Sequence, residues 1–579
     1  MNKPGKRVVK SKASEKRTSI AIRNLYPEIA GGRYPVKRET DRPLAVTVDI
    51  RGLARGQVRL LYRMSKPETT RWSSVLMKRT GEIGFRGEIT LPAAGIYQYT
   101  VEVRVPGRRP VRYGRDLEVY VEPPRARFAA WYELFPRSQG KVKGRHGTFR
   151  DTERRLPEIR RMGFNVIYLP PIHPIGKTNR KGKNNRLTAR PGEPGVPWSV
   201  GDETGGHTAI HPELGTIADF RRFVRAAKRA GFGIALDFTS NCSPDHPWVK
   251  EHPGWFFYNP DGTIRYAENP PKKYEDVCPL NFFPEEREAM WEEVKNIFLF
   301  WAANGVGTFR VDNPHTKPDE FWEWLIREVK QVHPETVFLA EAFTDYDKLE
   351  NLARAGFSQS YSYFTWRNGK NELIEYFLKL TGTYLKEFLR VNCFVNTPDI
   401  LSEILQKGGK PAFKQRISLA ATISPLYGMY SGYELLENAP LVAGKETYLD
   451  SEKYQIKVRN WNKPGNIKGY IAKLNRIRGQ NPALQYYDNL RFFSSTDDAI
   501  LFYGKVSPDG KNRILTAINL DPFAPHTGRV TIPVELFGIS SDEKYPVREL
   551  ITGKRTAWRG REQYVTLDPG KNPAAIWRI

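Results

Sequence analysis

The chain has 579 residues, a formal net charge of +27 at pH 7 and 40% hydrophobic residues, so we expect several domains with a large core. The basic residues are spread along the whole sequence and accompany no zinc-finger or RNP-type spacing, which argues against a specific nucleic-acid partner. No apolar run approaches the length of a membrane span, which argues against a membrane partner.

Residues 1–20 begin the chain with a Lys-rich stretch that has no apolar centre. This composition is unlike a secretory signal and is typical of a disordered basic arm. Three cysteines, Cys242, Cys278 and Cys393, lie far apart and are odd in number, so they make no disulfide framework. A reducing compartment is favoured, and we expect a cytoplasmic protein.

From residue 21 to residue 124 the hydrophobic pattern has a period of two. Val46, Val48 and Ile50 alternate with polar neighbours, and turn residues such as Pro106-Gly107 separate similar runs. This alternation predicts a small antiparallel β-sandwich of the Ig-like type.

Residues 125–484 alternate between predicted strands and helices. One helix is predicted over residues 152–162, and Thr216 and Asp219 have the spacing of a capping box at the start of another. The predicted strands are 128–135, 165–169, 233–238, 308–312, 337–342, 359–364, 392–396 and 426–430. Eight strand–helix units predict a closed (β/α)8 TIM barrel, with an insertion at about residues 239–285 after the third strand.

The period of two returns at residues 499–503, 514–518 and 574–579. It predicts a C-terminal antiparallel β-domain over residues 485–579. The predicted fold class is therefore α/β, with a (β/α)8 barrel between two β-domains.

Acidic residues follow several predicted barrel strands. Asp237 ends the third strand, Asp312 the fourth and Glu341 the fifth, and Asp399 lies just past the seventh. Singly, each is more often a capping or salt-bridging acid. In such barrels the chemistry lies at the carboxyl ends of the strands, where two carboxylates can flank a glycosidic bond. A third carboxylate would stabilise the positive charge of an oxocarbenium-like centre.

Four segments resemble, in order, the four motifs of the α-amylase superfamily, which is glycoside hydrolase family thirteen. They are Asp237-Phe-Thr-Ser-Asn241, Phe309-Arg310-Val311-Asp312, Leu339-Ala340-Glu341 and Asn396-Thr397-Pro398-Asp399. The resemblance implies that Asp312 is the nucleophile, Glu341 the general acid/base and Asp399 the transition-state stabiliser. It also implies retention of configuration at the anomeric carbon.

Two departures from ordinary amylases are informative, because Pro398 and Cys242 stand where those enzymes carry His. With Cys242-Ser-Pro-Asp-His-Pro-Trp248 and Asp450-Ser-Glu-Lys-Tyr454, they resemble one subgroup, the α-1,4-glucan:maltose-1-phosphate maltosyltransferases. This resemblance runs from about Arg127 to the end of the chain. It implies a homodimer that forms through the N-terminal sandwich.

The resemblance also implies substrate contacts. They are Lys181, Asn241, Asp276, Asn313, Lys453 and Tyr454 for the sugar, Asn269, Lys272 and Tyr274 for the phosphate, and Arg310 and Asp237 beside the nucleophile. Asn241 stands where other members have Gln, so a water can replace a direct contact there. By composition alone, Lys181 and Lys453 lie in ordinary solvated loops.

Other candidate residues carry weaker signals. The histidines His173, His207, His211, His246 and His315 lack the spacing of a helix-borne metal pair, so we predict no metal site and no cofactor. The aromatic residues near the loops, which are candidates for stacking on sugar rings or for the core, are Trp198, Trp248, Trp255, Tyr274, Tyr363 and Trp366.

These observations predict a retaining glycosyltransferase. It would move maltosyl units from α-maltose 1-phosphate to the non-reducing end of an α-1,4-glucan, with release of phosphate and through an ester on Asp312. One alternative is an α-glucan hydrolase or a disproportionating 4-α-glucanotransferase. A more distant alternative is a non-catalytic glucan-binding scaffold, against which the intact Asp312, Glu341 and Asp399 argue.

Overall fold

The computed structural model describes residues 19–65, 69–269, 272–540 and 542–579, without the side chains of Asn269 and Lys272. The chain divides into two compact units, Met1–Val121 and Glu122–Ile579. Apart from Ser19 and Ile20, the predicted basic arm lies outside the described residues. Within the described ranges, every helix is too short or too polar to span a lipid bilayer.

The first unit is the predicted β-sandwich, built from two sheets. Its strand Leu44–Arg51 shows the cause, since Leu44, Val46, Val48 and Ile50 are buried and their neighbours face outward. One sheet has the order Ala21–Tyr26, Leu44–Arg51, Gly84–Ile89, Lys78–Arg79. The other has the order Val36–Glu39, Leu117–Glu122, Gly95–Arg104, Gln57–Met64, Ser73–Leu76, with Val111–Arg112 paired to Gly95–Arg104.

The second unit contains the predicted closed barrel of eight parallel strands. Its interior is packed with apolar and aromatic side chains such as Trp131, Tyr168 and Phe394. The strands, in order around the barrel, are Ala129–Glu133, Val166–Leu169, Gly233–Phe238, Thr308–Val311, Val337–Ala340, Gln359–Tyr361, Val391–Phe394 and Leu426–Tyr430. The structure thus confirms the predicted (β/α)8 fold class.

Helices cover the outside of the barrel. The predicted capping box is present, because Thr216 and Asp219 bond reciprocally at the start of Ile217–Arg229. The α-helices are Phe149–Glu153, Leu156–Arg161, Ile217–Arg229, Pro247–Glu251, Arg287–Ala303, Asp319–Val332, Tyr346–Ala355, Lys370–Gly382, Glu403–Ile423 and Lys468–Gln480.

The prediction of one helix over residues 152–162 was wrong, because two short helices occupy this region. Pro157 is the cause. It has no N–H to donate, and its ring would clash with the carbonyl four residues earlier inside a continuous helix. In the structure Pro157 lies in the first turn of Leu156–Arg161, where a proline is tolerated.

Two regions extend the barrel. The insertion after the third strand carries the helix Pro247–Glu251 and a hairpin of Ala267–Asn269 with Lys272–Tyr274. The C-terminal region forms antiparallel sheets, as predicted, around a core that includes Phe502, Leu515 and Val547. Its larger sheet has the order Leu490–Phe493, Ile500–Val506, Arg513–Asn519, Ala574–Arg578, Lys544–Glu549, Arg555–Arg559, and a second sheet pairs His526–Thr531 with Glu562–Leu567.

The three cysteines are free and buried. Cys242 and Cys278 face each other in a short antiparallel bridge, in which each backbone N–H donates to the other's carbonyl. Burial raises the pKa of the Cys278 thiol to about 12 and also raises the pKa of Cys242. All three thiols are therefore protonated at neutral pH.

Candidate active site

The barrel strands deliver two carboxylates side by side. Asp312 and Glu341 each directly follow a strand, and strand register pairs Val311 with Ala340. Their backbone N–H groups continue the ladder, since Asp312 donates to Phe238 O at 2.8 Å and Glu341 donates to Val311 O at 3.0 Å. Both carboxylates are thus fixed at the carboxyl end of the barrel.

Arg310 connects three of the acids. Its Nη1 lies 2.7 Å from Asp312 Oδ1 and 3.1 Å from Asp237 Oδ2, and its Nη2 lies 2.7 Å from Glu341 Oε1. The Arg310 side chain is 6% exposed, so these charges interact in a medium of low dielectric. The planar guanidinium therefore fixes the nucleophile candidate and the acid/base candidate relative to each other.

The turn after the fourth strand adds a contact to Glu341. Asn313 has a left-handed backbone with φ of 43°, a conformation that asparagine tolerates better than most residues. Its N–H donates to Glu341 Oε2 at 3.3 Å. Thr239 Oγ1 donates to the second oxygen of Asp312 at 3.3 Å. Each of the two carboxylates is thus held at both of its oxygens.

Asp399 pairs with a lysine from a distant loop. Lys453 Nζ lies 2.7 Å from Asp399 Oδ1. Burial acts to lower the pKa of Lys453, but the Asp399 carboxylate raises it overall, so the lysine remains charged. The Lys453 loop is held by Arg137, whose Nη2 donates to the carbonyl oxygens of Glu452 and Lys453 at 2.9 Å.

The three predicted catalytic acids share one cavity of about 290 Å³. Its lining residues are Val196, Trp198, Asn241, Tyr274, Asp276, Val277, Asp312, Asn313, His315, Glu341, Phe343, Trp366, Asp399, Ile400, Glu446 and Lys453. Most of these lining residues are polar or charged. A concave space with convergent polar groups is suited to binding a small molecule.

The electrostatics of the site favour the protonated forms of two buried acids, Glu341 and Asp237. Burial is the largest cause that raises the pKa of Glu341 well above its ordinary value; Arg310 opposes it, and the charges of Asp312 and Asp399 add to it. Burial likewise raises the pKa of Asp237 to about 7, against the attraction of Arg310. Burial thus favours the protonated form of Glu341, which is the form that a general acid requires.

A further acid lies beneath the cavity and was missed by the sequence prediction. Glu133 ends the first barrel strand, is 1% exposed and has a carboxyl oxygen without a hydrogen-bond partner among the described residues. Burial raises the pKa of Glu133 well above its ordinary value, which Arg310 opposes and the charge of Asp237 reinforces. In the sequence Glu133 lies within a strand, as core residues do. Its closeness to the other acids is visible only in the three-dimensional structure.

Five of the predicted substrate contacts line the cavity: Asn241, Tyr274, Asp276, Asn313 and Lys453. Asn241 Oδ1 and Asp276 Oδ2 are buried and have no hydrogen-bond partner among the described residues. Buried polar atoms in native structures are normally satisfied, so these two atoms are available to a bound hydroxyl group.

Other predicted contacts lie outside the cavity lining. Lys181 is buried and its Nζ lies 2.6 Å from Glu275 Oε2, and Tyr454 is 8% exposed. Asn269 and Lys272 pair across the insertion hairpin, while the predictions for their side chains lie outside the described part of the chain.

A second cavity of about 410 Å³ adjoins the first one at Asp312. It shares Asn241, Tyr274, Asp312 and Asn313 with the first cavity. Asp312 is therefore open to two adjoining spaces.

Several aromatic and acidic residues of the site have weak sequence signals. Trp198 and Trp366, which were candidates for sugar stacking, line the first cavity, and Trp366 Nε1 donates to Glu446. Trp248 and Trp255 instead pack against each other, with ring centroids 5.3 Å apart. Phe343 and Glu446 were missed, because neither lies in a recognisable motif.

The ring nitrogens of His207 and His246, which are the atoms that would bind a metal ion, take part in hydrogen bonds. His207, His246 and Cys242 lie within 4.8 Å of one another. His246 Nδ1 accepts from Trp248 N at 3.1 Å, and its other nitrogen lies 3.2 Å from His207 Nδ1. His207 Nε2 contacts Thr239 O at 2.9 Å. This chain of bonds engages both nitrogens of each ring.

Comparisons with known proteins agree with the geometry. Residues 132–351 match the family model described as Alpha amylase, catalytic domain. A solved α-amylase from Lactobacillus plantarum has a TM-score of 0.62 at 20% identity and covers 79% of this chain and 100% of its own. A maltogenic α-amylase from Thermotoga neapolitana has a TM-score of 0.60 at 19% identity and covers 78% and 98%. The barrel is an α-amylase-type catalytic domain.

Relatives with higher sequence identity define the class of enzyme more closely. Residues 18–105 match the model for Alpha-1,4-glucan:maltose-1-phosphate maltosyltransferase, domain N/S, and residues 492–579 match GLGE, C-terminal. The maltosyltransferase of Rhodospirillum rubrum is 55% identical and covers 81% of this chain and 68% of its own length. That of Myxococcus xanthus is 41% identical and covers 98% of both chains. This chain belongs to the α-1,4-glucan:maltose-1-phosphate maltosyltransferase family and is a glycosyltransferase.

Proposed function

We propose that this protein transfers maltosyl units from α-maltose 1-phosphate to the non-reducing end of an α-1,4-glucan and releases phosphate. The observation that carries the proposal is the shared cavity, in which Asp312, Glu341 and Asp399 meet around one small volume. The two adjoining spaces that Asp312 lines provide room for a donor and for a second substrate.

In the first step, an Asp312 oxygen attacks the anomeric carbon of the donor. The new bond is an ester between this carbon and Asp312, and the bond to the phosphate oxygen breaks with its electron pair on phosphate. A phosphate with a second pKa near 6 leaves as a stable anion and needs little protonation. Asp399 stabilises the positive charge on the sugar ring, and Lys453 holds that carboxylate in place.

In the second step, the acceptor's 4-hydroxyl oxygen attacks the same carbon and the ester bond breaks. Esterification has made Asp312 neutral, which removes one of the charges that raise the pKa of Glu341. Glu341, which gives its proton to an oxygen of the leaving phosphate in the first step, then takes the proton of the acceptor hydroxyl. Its role is therefore largest in this second step.

The leaving phosphate needs donors and positive charge. We assign this role to Asn269 and Lys272 of the insertion hairpin, together with Tyr274, which lines both cavities. Asn241 and Asp276 would hold sugar hydroxyls through their unpartnered oxygens. Lys181, Asn313 and Tyr454 complete the proposed sugar contacts.

The test is incubation with maltose 1-phosphate and maltohexaose. We expect products longer by two glucose units and one phosphate released per transfer. Phosphate release without chain extension would point to a hydrolase, and extension without maltose 1-phosphate would point to a disproportionating enzyme. No turnover under any of these conditions would support a glucan-binding scaffold.

The covalent step has its own test. Glu341→Ala should accumulate a maltosyl-enzyme when mixed with the donor alone, because the ester forms but is discharged slowly. Intact-mass spectrometry would detect the added maltosyl group, and Asp312→Ala in the same background should abolish it. An exposed control, Glu403→Gln, lies on a surface helix and should behave as wild type. Absence of the adduct in Glu341→Ala would contradict the mechanism.

The homodimer remains a prediction from the family. Light scattering after size-exclusion chromatography measures it directly. A mass of about 133 kDa, twice the 66.5 kDa of one chain, is the expected result.

A further inference from the structure

The amino-terminal end of the barrel carries a cavity of about 380 Å³, opposite the candidate active site. It lies where the first two barrel strands begin and the helix Lys468–Gln480 ends. Four arginines line it: Arg160, Arg161, Arg476 and Arg478. Among the residues that the structure describes, no acidic side chain takes part in the lining. We call it the arginine cavity.

Arg478 is buried at 1% exposure, yet it binds only neutral groups. Its guanidinium donates to the carbonyl oxygens of Ala129, at 3.4 Å, and Pro425, and it stacks on the rings of Phe128 and Tyr427 at 4.8 and 4.6 Å. Its Nε has no hydrogen-bond partner within the described part of the chain.

Some other buried arginines of this chain are neutralised by acids, whereas the buried Arg137 and Arg416 donate to backbone carbonyl oxygens. Arg310 pairs with three carboxylates, and Arg459 pairs with Glu437 and Glu452 at 2.9 and 2.8 Å. A buried charge without a counter-charge is costly, so such pairing is the general rule. Like Arg137 and Arg416, Arg478 has carbonyl oxygens as partners instead, but it lines a cavity together with three further arginines.

Positive charge accumulates around this end of the barrel. Burial lowers the pKa of Arg478 to about 10, so it remains charged at neutral pH. Burial and then the charge of Arg478 lower the pKa of the neighbouring Lys505 to about 7. Burial is the main cause of both shifts, and the charge of Asp488 partly opposes the shift of Lys505.

The other three arginines extend the same field to the mouth of the cavity. Arg160, Arg161 and Arg476 are exposed, and none forms an ion pair with an acid among the residues described. An adjoining space of about 600 Å³ shares Asn165 with the arginine cavity and adds Arg125 and Lys228. Only Glu335 of its described lining is acidic, and it lies 3.8 Å from Arg125.

We propose that the arginine cavity binds a small anion that carries a phosphate group, either inorganic phosphate or a phosphate monoester. The guanidinium group matches phosphate through paired N–H donors, and four arginines line this one cavity. The site is concave and partly buried, which suits a small ligand better than a polymer backbone lying on a surface. This inference does not rest on the proposed donor of the transferase reaction.

The test is equilibrium dialysis with labelled inorganic phosphate, counting phosphates bound per chain. We expect Arg161→Ala/Arg476→Ala to bind one phosphate fewer than wild type. The matched control Arg225→Ala removes an exposed arginine from another barrel helix and should bind as wild type. The comparison holds whether or not the active site also binds phosphate, because that site is intact in every protein.

A charge-preserving variant separates recognition from bulk charge. Arg161→Lys/Arg476→Lys keeps the net charge but loses the paired donors, and we expect about tenfold weaker binding. Glucose 6-phosphate as a second probe distinguishes the sources, since tighter binding than phosphate assigns the site to a monoester. Equal stoichiometry in wild type and Arg161→Ala/Arg476→Ala would overturn the proposal. A second result would also overturn the proposal: the wild type binds no phosphate but binds a 20-nucleotide single strand tightly, and Arg161→Ala/Arg476→Ala loses that binding.

Discussion

The two ends of the barrel treat a buried arginine in opposite ways. At the carboxyl end, Arg310 is surrounded by Asp237, Asp312 and Glu341 at 2.7 to 3.1 Å. At the amino end, Arg478 is equally buried but binds carbonyl oxygens and aromatic faces. The same side chain therefore serves to organise fixed charges at one end and to leave positive charge unbalanced at the other.

This difference shows how the charge of a buried arginine is surrounded at each end of the barrel. The carboxyl end holds its counter-charges in fixed positions before any substrate arrives, which is the preorganisation that catalysis needs. The amino end holds a cation whose hydrogen bonds, among the described residues, go to uncharged oxygen atoms. Substitutions at the two ends should therefore have different consequences.

The largest effect is expected from Arg310→Met. It leaves three buried carboxylates without their cation, so we expect the free energy of unfolding to fall by about 3–5 kcal/mol and kcat to fall by at least about 10³-fold. Arg478→Met strands no charge and should lower the free energy of unfolding by only about 1–2 kcal/mol. Urea unfolding and phosphate-release assays measure both. Equal losses in the two variants would contradict the comparison.

The next effect concerns pH and Asp237. Its pKa of about 7 lies above the ordinary value near 4, so folding takes up a proton between these values. Stability from this group is greatest below about pH 4 and is lost as pH rises toward 7. In Asp237→Asn the free energy of unfolding should fall less between pH 5 and 7 than in the wild type, by about 2–3 kcal/mol. Denaturant titrations of both proteins across this range measure the effect. The same pH dependence of the free energy of unfolding in wild type and Asp237→Asn would contradict the raised pKa of Asp237.

A smaller effect is expected at the edge of the acid cluster. Asp399 is 41% exposed, so Lys453→Met leaves a carboxylate that water can still solvate. We expect kcat to fall by about 10–100-fold with a free energy of unfolding within about 1 kcal/mol of wild type. Lys453→Arg should recover part of the rate. A large loss of stability would show that the pair is structural.

The smallest effect tests the amino end. The depressed pKa of Lys505, about 7, means that the unfolded chain binds more protons above this pH. Stability from this group therefore rises as pH increases from about 7 toward 10. Lys505→Met should remove this rise, about 1 kcal/mol between pH 7 and 8. Thermal unfolding of both proteins at these two pH values is sufficient, and an identical rise in Lys505→Met would argue against the depressed pKa.

The sequence was most informative where chemistry is local to a strand. Asp237, Arg310, Asp312 and Glu341 lie within or directly after barrel strands, so the strand pattern placed them at one end. The eight-strand barrel itself followed from alternation of strand and helix signals. Errors at this level were local, as at Pro157, where a backbone constraint outweighed the helical pattern.

Contacts between distant parts of the chain were not predictable in the same way. The Lys453–Asp399 pair spans 54 residues, and family resemblance rather than pattern drew attention to Lys453. The burial of Glu133 and the grouping of Arg160 with Arg476 depend on how the barrel closes. No periodicity encodes them, because each side chain alone is compatible with an ordinary surface or core position.

The buried cysteines have a practical consequence for labelling this protein at a chosen position. Cys242, Cys278 and Cys393 are each at most 1% exposed, and protonated buried thiols react slowly with alkylating dyes. A cysteine substituted for Tyr564, which is 79% exposed, would therefore be a single fast-reacting handle in an otherwise native chain. Fluorophores or spin labels can thus be attached at one chosen point without first removing the natural thiols.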